Sequence, residues 1–349
     1  MIGDHKQLAP FDSNRLERLL QDPETVRKTI SAGAQFVGRS LRDQTIDEVI
    51  ELTDEVEFDF APLCAKAIEL LSLFETLIED QLKWQKSRPK ARKLASVLNQ
   101  QHRMHPTIAR IVSKTFYGGE LETYHSAARR FQQEQPPFRS TDAARLPDTP
   151  LVMVNMPYVQ SELGKKSGDQ SPTWHNPDEV SAVVEALQLL EVPQSIEKKP
   201  TIAVLSPYSE QVRRLRRRID DDLAAFPNLQ EFEGAVDQSI CGTVDSFQGN
   251  QADVVVVSLV RNNHRSSLNG ALGFLCDARR MNVLFSRARW KLIVVGSFEF
   301  LNTVLTANKA RDDADEFFLK HLMSNLAIET EAKNAVVIDY KTLKKGTEQ

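Results

Sequence analysis

Arginine, amide, hydroxyl and glycine residues gather at five places in this chain, and those types in that company can handle phosphate. Residues 277–289 carry Arg279, Arg280, Asn282, Ser286, Arg287 and Arg289 among the apolar Met281, Val283, Leu284 and Phe285. Arginines on a part-buried helix need partners, and phosphates are good ones. Residues 242–249, Gly-Thr-Val-Asp-Ser-Phe-Gln-Gly, run into Asn250 and Gln251. Small hydroxyls and Gly249 let backbone approach a ligand closely. Residues 98–106 include Gln101, His102, Arg103 and His105. A guanidinium there can fork onto phosphate oxygens or sit in an ion pair at a helix start. Residues 205–211 hold Ser206, Pro207, Tyr208 and Ser209. Either serine can cap the next helix, whose N-terminus attracts phosphate. That helix bears Arg213, Arg214, Arg216, Arg217 and Arg218. These either track a nucleic-acid backbone or form a solvated face balanced by Asp220, Asp221 and Asp222. The fifth cluster, residues 3–10, follows a glycine turn with Gln7, an amide placed for phosphate or water, or simply a surface turn.

Elements that could position these clusters show in the hydropathy pattern. Residues 201–205, 240–244, 253–260 and 291–296 are short apolar runs, that at 253–260 nearly all valine. A β-branched run of that kind suits a strand buried on both faces of a parallel sheet. Residues 151–156 form another. Between them Asn176-Pro177 signals a helix start, and Val180, Val183, Val184, Leu187 and Leu190 follow at helical spacing. Further helices are expected at 209–223 and 279–289. Strands alternating with helices predict a doubly wound α/β domain, whose sites lie at strand ends.

Residues 11–97 read as helical. Leu63, Ala67, Leu70, Leu71, Phe74, Leu77 and Ile78 form one stripe in a charged setting, which suits a solvated helical insertion. Residues 132–150 and 161–173 read as loops, and the stretch after 331 as a charged tail.

The bulk numbers suit a globular protein: 349 residues, 41% hydrophobic, 26% charged. A net charge of −4 provides no global field for a polyanion, so such binding would use local patches. Cys64, Cys241 and Cys276 lack metal-site spacing and read as reduced thiols, which predicts a cytoplasmic setting. No metal site and no membrane span is predicted.

Taken in order, the clusters resemble the motif series of superfamily 1B helicases, the group with the nonsense-mediated-decay and immunoglobulin-mu-binding helicases. GDxxQL matches Gly3 to Leu8. QxRMHP matches Gln101 to Pro106, followed by Ser113 and by FYxGxL at Phe116 to Leu121. A TPYxxQ-like element matches Ser206 to Gln211, TVDSFQG matches Thr243 to Gly249, and RRxNVxxSRAR matches Arg279 to Arg289. The resemblance spans residue 3 to about residue 296.

That resemblance implies a RecA-like parallel sheet flanked by helices, of P-loop NTPase type, over residues 98–330. Residues 1–10 would be a remnant of a first RecA-like domain, 11–97 an insertion and 331–349 a tail. ATP with Mg2+ is the implied cofactor. Gln7 would sense the γ-phosphate, and Arg103 and Arg287 would act on it as arginine fingers. His102, Gly249 and Gln251 would complete the nucleotide contacts. Ser206, Pro207, Tyr208 and Thr243 would touch single-stranded DNA or RNA, and Arg280 and Asn282 would couple the two sites. Two positions depart from the pattern. His102 stands where an aromatic usually stacks on adenine, and Gln251 where a glutamate usually meets the ribose.

No GxxxxGK(S/T) loop occurs in the sequence, and no strand-borne Asp-Glu pair precedes Gly3. The expectation is therefore the C-terminal motor domain of an ATP-dependent 5′–3′ helicase or translocase. It would hydrolyse ATP only with an N-terminal P-loop domain, from a parent chain or a split partner. The alternative is a degenerate RecA-like module that binds nucleic acid or protein without catalysis.

Overall fold

The computed structural model describes residues 98–159, 168–171, 173–307 and 317–344, and before them 16, 19–38, 59–71, 80, 84 and 86–88. The chain divides into two units, one drawn from the first 97 residues and one containing everything from Leu98 onward. The first has helices Pro23–Gly38 and Ala61–Leu71. Val26, Phe60 and Cys64 form a small core there, with Leu19 and Leu20 against it. Leu63, expected on the apolar stripe, is 49% exposed, because the face that packs is that of Phe60 and Cys64.

The second unit is built on a seven-stranded sheet. Its strands are β1 (Leu151–Asn155), β2 (Thr201–Ser206), β3 (Glu233–Gly234), β4 (Cys241–Thr243), β5 (Ala252–Ser258), β6 (Ala288–Gly296) and β7 (Ala335–Asp339). The order is β7-β1-β6-β5-β2-β3, with β4 also on β2, and every pairing is parallel. Helices α1 (Pro106–Phe116), α2 (His125–Gln133), α3 (Pro177–Gln188), α4 (Ser209–Ile219), α5 (Leu268–Leu272), α6 (Ala278–Phe285), α7 (Phe298–Ala307), α8 (Phe317–Glu331) and α9 (Tyr340–Leu343) complete it.

Alternation along the strands makes two cores. Ala203, Leu205, Val255, Val257, Leu292 and Val294 face one side, with α1, α6, α7 and α8 residues. Ile202, Val204, Val254, Val256, Ile293 and Val295 face the other, under α3 and α4. Every residue of β5 is buried, and each such valine contributes about 1.5–3 kcal/mol relative to an exposed one. This is the doubly wound α/β sheet that the valine-rich runs predicted.

The residues after 331 correct the expectation of a tail. Ala335–Asp339 pair in register with Leu151–Asn155 as an edge strand, and Leu343 behind them is fully buried. Only Ala335 and Ile338 of this edge strand are buried, and its apolar run is four residues long.

Candidate functional site

Two polar clusters lie at opposite ends of the sheet. The first gathers at the N-terminal ends of β5 and β6. Gln101 shapes its entrance: its Oε1 accepts from the backbone N–H groups of Arg103 (2.9 Å) and Met104 (2.7 Å), and its Nε2 donates to Met104 O and Thr123 Oγ1. This turn leads into α1, which starts with Pro106 at its first position. The His105 Nδ1 accepts from Thr107 N–H at 3.2 Å. Burial, reinforced by Arg110, holds the His105 imidazole down at about 4, so it stays a neutral acceptor.

Arg103 projects from this turn. Its Nε donates to Gln251 Oε1 at 3.0 Å and its Nη1 to Ser286 O at 3.2 Å. Both acceptors are neutral. Burial draws its guanidinium below the ordinary value, and Tyr117 offsets part of that. Arg287, only 2% exposed, follows Ser286 and donates to Val283 O and Asn250 O. Arg103, Gln251 and Arg287, far apart in sequence, are thus brought to one place. Gly249 precedes them at φ +85, a left-handed conformation that a side chain would strain. His102 is exposed, with its ring 4.7 Å from Tyr124, which stacks in turn on His125 at 4.7 Å. Gln7 and residues 3–10 lie outside the described residues.

The second cluster lies at the C-terminal ends of β2, β4 and β5, where Ser206 pairs in register with Thr243. Ser206, Pro207 and Tyr208 have buried side chains, while Thr243 is half-buried. The Tyr208 hydroxyl accepts from Phe274 N–H at 3.2 Å, and burial pushes its pKa up to about 12. Neither serine caps α4 with its side chain: its N-cap is Tyr208, with no side-chain cap bond. Ser206 Oγ instead accepts from Tyr208 N–H at 3.4 Å. Arg213 and Arg214 of α4 do not pair with Asp220, Asp221 or Asp222. Arg213 and Arg214 both pair with Glu210, and the Asp220 carboxylate accepts from the backbone of Ile240 and Cys241.

Two segments join the ends. Residues 243–251 leave β4 at the C-terminal edge, pass the fully buried Phe247 and enter β5 at the N-terminal edge. Residues 277–287, mostly α6, make the same passage. Arg280 Nε donates to Asp245 Oδ1 at 3.4 Å, and its Nη1 bonds Asp277 at 2.9 Å. At the far end Arg287 meets Asn250 O, and Ala252 N–H donates to Arg287 O. The two segments are therefore tied at both edges. Midway, the buried Asn282 donates to Tyr117 Oη at 2.9 Å. The second cluster lies at C-terminal strand ends. The first is at N-terminal ends, where α6 delivers Arg287.

Behind the second cluster lies a buried polar network that the sequence reading did not identify. Asn176 caps α3, as its Asn-Pro signal predicted, accepting from the N–H groups of Asp178 and Glu179. Glu179, three residues on, would ordinarily reach back to the cap's own N–H. Here Gln211 accepts that N–H, and Glu179 is directed into the sheet. Its Oε2 accepts from Ser258 Oγ (2.6 Å) and Val260 N–H (2.8 Å), while Asn176 Nδ2 donates to Val260 O at 3.0 Å. Val260 has φ 73, rare for a β-branched residue, and this grip on both its backbone groups holds it there. Burial pushes the Glu179 carboxyl up to about 8.

Tyr117, Tyr124, Asp245, Asn250 and Glu179 were not among the expected site residues. Tyr117 and Asp245 lay inside quoted motifs, so their signal was present. Tyr124 had none. Cys64 and Cys241 are buried and Cys276 is half-buried. Among the described residues, no group of three His, Cys, Asp or Glu could hold a metal, and no helix is long and apolar enough to cross a membrane.

Comparison with known proteins matches residues 70–299 to the AAA domain family. The chain is 32% identical to the DNA polymerase alpha-associated DNA helicase A of Saccharomyces cerevisiae, over 60% of this chain and 29% of that protein. It is 30% identical to Helicase sen1 of Schizosaccharomyces pombe, over 62% of this chain and 12% of that protein. It is also 30% identical to the DNA-binding protein SMUBP-2 of Rattus norvegicus, over 56% and 17%. The alignments thus cover under a third of each of these relatives.

Proposed function

The chain belongs to the AAA domain family, with the fold and motif order of the C-terminal half of superfamily 1B helicases, and from that premise we propose that it is the second motor domain of an ATP-dependent 5′–3′ DNA or RNA helicase or translocase. Its first cluster faces ATP held by a P-loop domain that also supplies the Mg2+ ligands, and its second cluster follows a single strand.

The observation that carries this reading is the meeting of Arg103 and Arg287 beside Gln251. Among the described residues Arg103 hydrogen-bonds neutral oxygens only, which leaves its charge for an anion. A triphosphate fits that donor set, and bound there it supplies the phosphoryl group to be transferred. Arg103 is the outer guanidinium. Arg287, held by Val283 and Asn250 carbonyls, reaches a phosphate by exchanging the Asn250 contact for it. Such groups stabilise the charge that builds up in phosphoryl transfer. His102, backed by Tyr124, offers rings to the base; Gly249 and Gln251 border the sugar side, and Gln7 senses the γ-phosphate. On the other edge Thr243 and the backbone of the buried turn Ser206, Pro207 and Tyr208 contact the strand, and Arg280 and Asn282 couple the edges.

The test is strand-stimulated ATP hydrolysis by the chain together with its P-loop domain. Arg103→Ala and Arg287→Ala should each lower kcat by about 10³ or more. Rates untouched by both substitutions, with strand binding intact, would leave a binding module in place of a motor.

A further inference from the structure

We infer that Phe274 is a stacking platform for one unpaired base, a subsite that rests on the single-strand reading of the C-terminal sheet edge. Phe274 is 43% exposed, more than any other Phe, Tyr or Trp side chain described from residue 98 onward. An exposed ring on a mobile loop would mean little, but this one is fixed. Its N–H donates to the buried Tyr208 hydroxyl at 3.2 Å, and the Tyr208 ring lies 5.2 Å from its own. Gly273 before it has φ +56, and a Cβ there would come within 2.8 Å of Tyr208 Oη. The close approach that holds the ring therefore requires glycine.

The surroundings choose between a base and a phosphate. The Arg280 guanidinium lies 4.8 Å from the ring centre, a cation–π buttress. Its charge is already engaged by Asp245 and Asp277. Two carboxylates beside one guanidinium repel phosphate, so this spot offers a flat apolar face rather than a cationic one. Every base has a π-face, and aromatic platforms of this kind bind single strands with little regard to sequence. Through Asp245, the ring is tied to the segment that begins at Thr243. A strand whose backbone meets Thr243 can set a base on Phe274, and Arg280, the proposed coupling residue, touches that ring directly.

The experiment is fluorescence anisotropy of the full chain with oligothymidylate and oligouridylate, each beside an abasic strand of equal length. The unaltered chain should bind the base-bearing strand about tenfold more tightly than the abasic one. Phe274→Ala should abolish that ratio while leaving abasic affinity and its salt dependence unchanged; Phe274→Tyr should keep it. A ratio that survives Phe274→Ala, or is absent in the unaltered chain, overturns the platform and leaves the strand reading standing. Failure of the unaltered chain to bind any strand overturns both.

Discussion

Glu179→Gln should reverse its effect on stability between mildly acidic and mildly alkaline solution. The folded carboxyl titrates at about 8, against an ordinary 4.5, because burial penalises its charged form. Between those values the folded chain retains a proton that the unfolded chain has lost. Stability therefore falls as pH rises through that window, by up to about 1.4 kcal/mol per pH unit from this group alone. Over the whole window the loss is roughly 4–5 kcal/mol. Glutamine cannot titrate, so the variant lacks this slope. It carries a fixed cost instead. Asn176 Nδ2 lies 3.5 Å from Glu179 Oε1, and Asn176 Oδ1 is committed to the N–H groups of Asp178 and Glu179, so the new amide faces a donor it cannot turn away. One poor contact of that kind costs about 1 kcal/mol. The variant should be the less stable protein near the acid end of the window and the more stable one near the alkaline end. Urea unfolding followed by tryptophan fluorescence measures the difference at each pH. A difference that stays constant across the window would mean that the Glu179 carboxyl is ionised in the fold and that burial does not hold its proton.

Gly273→Ala should destabilise the fold by about 1–3 kcal/mol, since the residue is held at positive φ and its new methyl meets Tyr208 Oη; an unchanged urea midpoint would show that the turn relaxes without cost. Glu329 is buried in a two-bond pair with Arg110, which holds its carboxyl below the ordinary range. Its contribution is full above the ordinary glutamate value and is lost as pH falls through the lowered one. Glu329→Gln should accordingly flatten the acid limb of the stability profile, and an acid limb of unchanged steepness would assign that loss to other groups.

Continuous apolar runs placed β5 and β6 to within three residues of their ends, because both strands are buried on both faces. β7 escaped notice because its apolar run, Ala335 to Ile338, is only four residues long and stands between polar and charged stretches. The arginine clusters were legible as residue types, but not their arrangement. Nothing local says that Arg103 will meet Gln251, or that the Ser206 turn will be sealed by Phe274 and Leu272. Glu179 shows the limit most clearly. Its spacing from Asn176 reads as a local helix cap, and only the sheet behind it supplies the stronger partners, Ser258 and Val260, that draw it inward.

The two segments that run from one edge of the sheet to the other carry a consequence for how this fold can vary. Each spans the depth of β5, about 20 Å for its length of extended chain, and each is anchored at both ends. An added or deleted residue in 243–251 or 277–287 would shift one anchor against the other, turning Gln251 or Arg287 away from Arg103. Gains and losses of length should therefore be excluded from these segments. Among natural variants of this domain, the spacing from Thr243 to Gln251 and from Asp277 to Arg287 should behave as a ruler, constant while the loops around it grow and shrink.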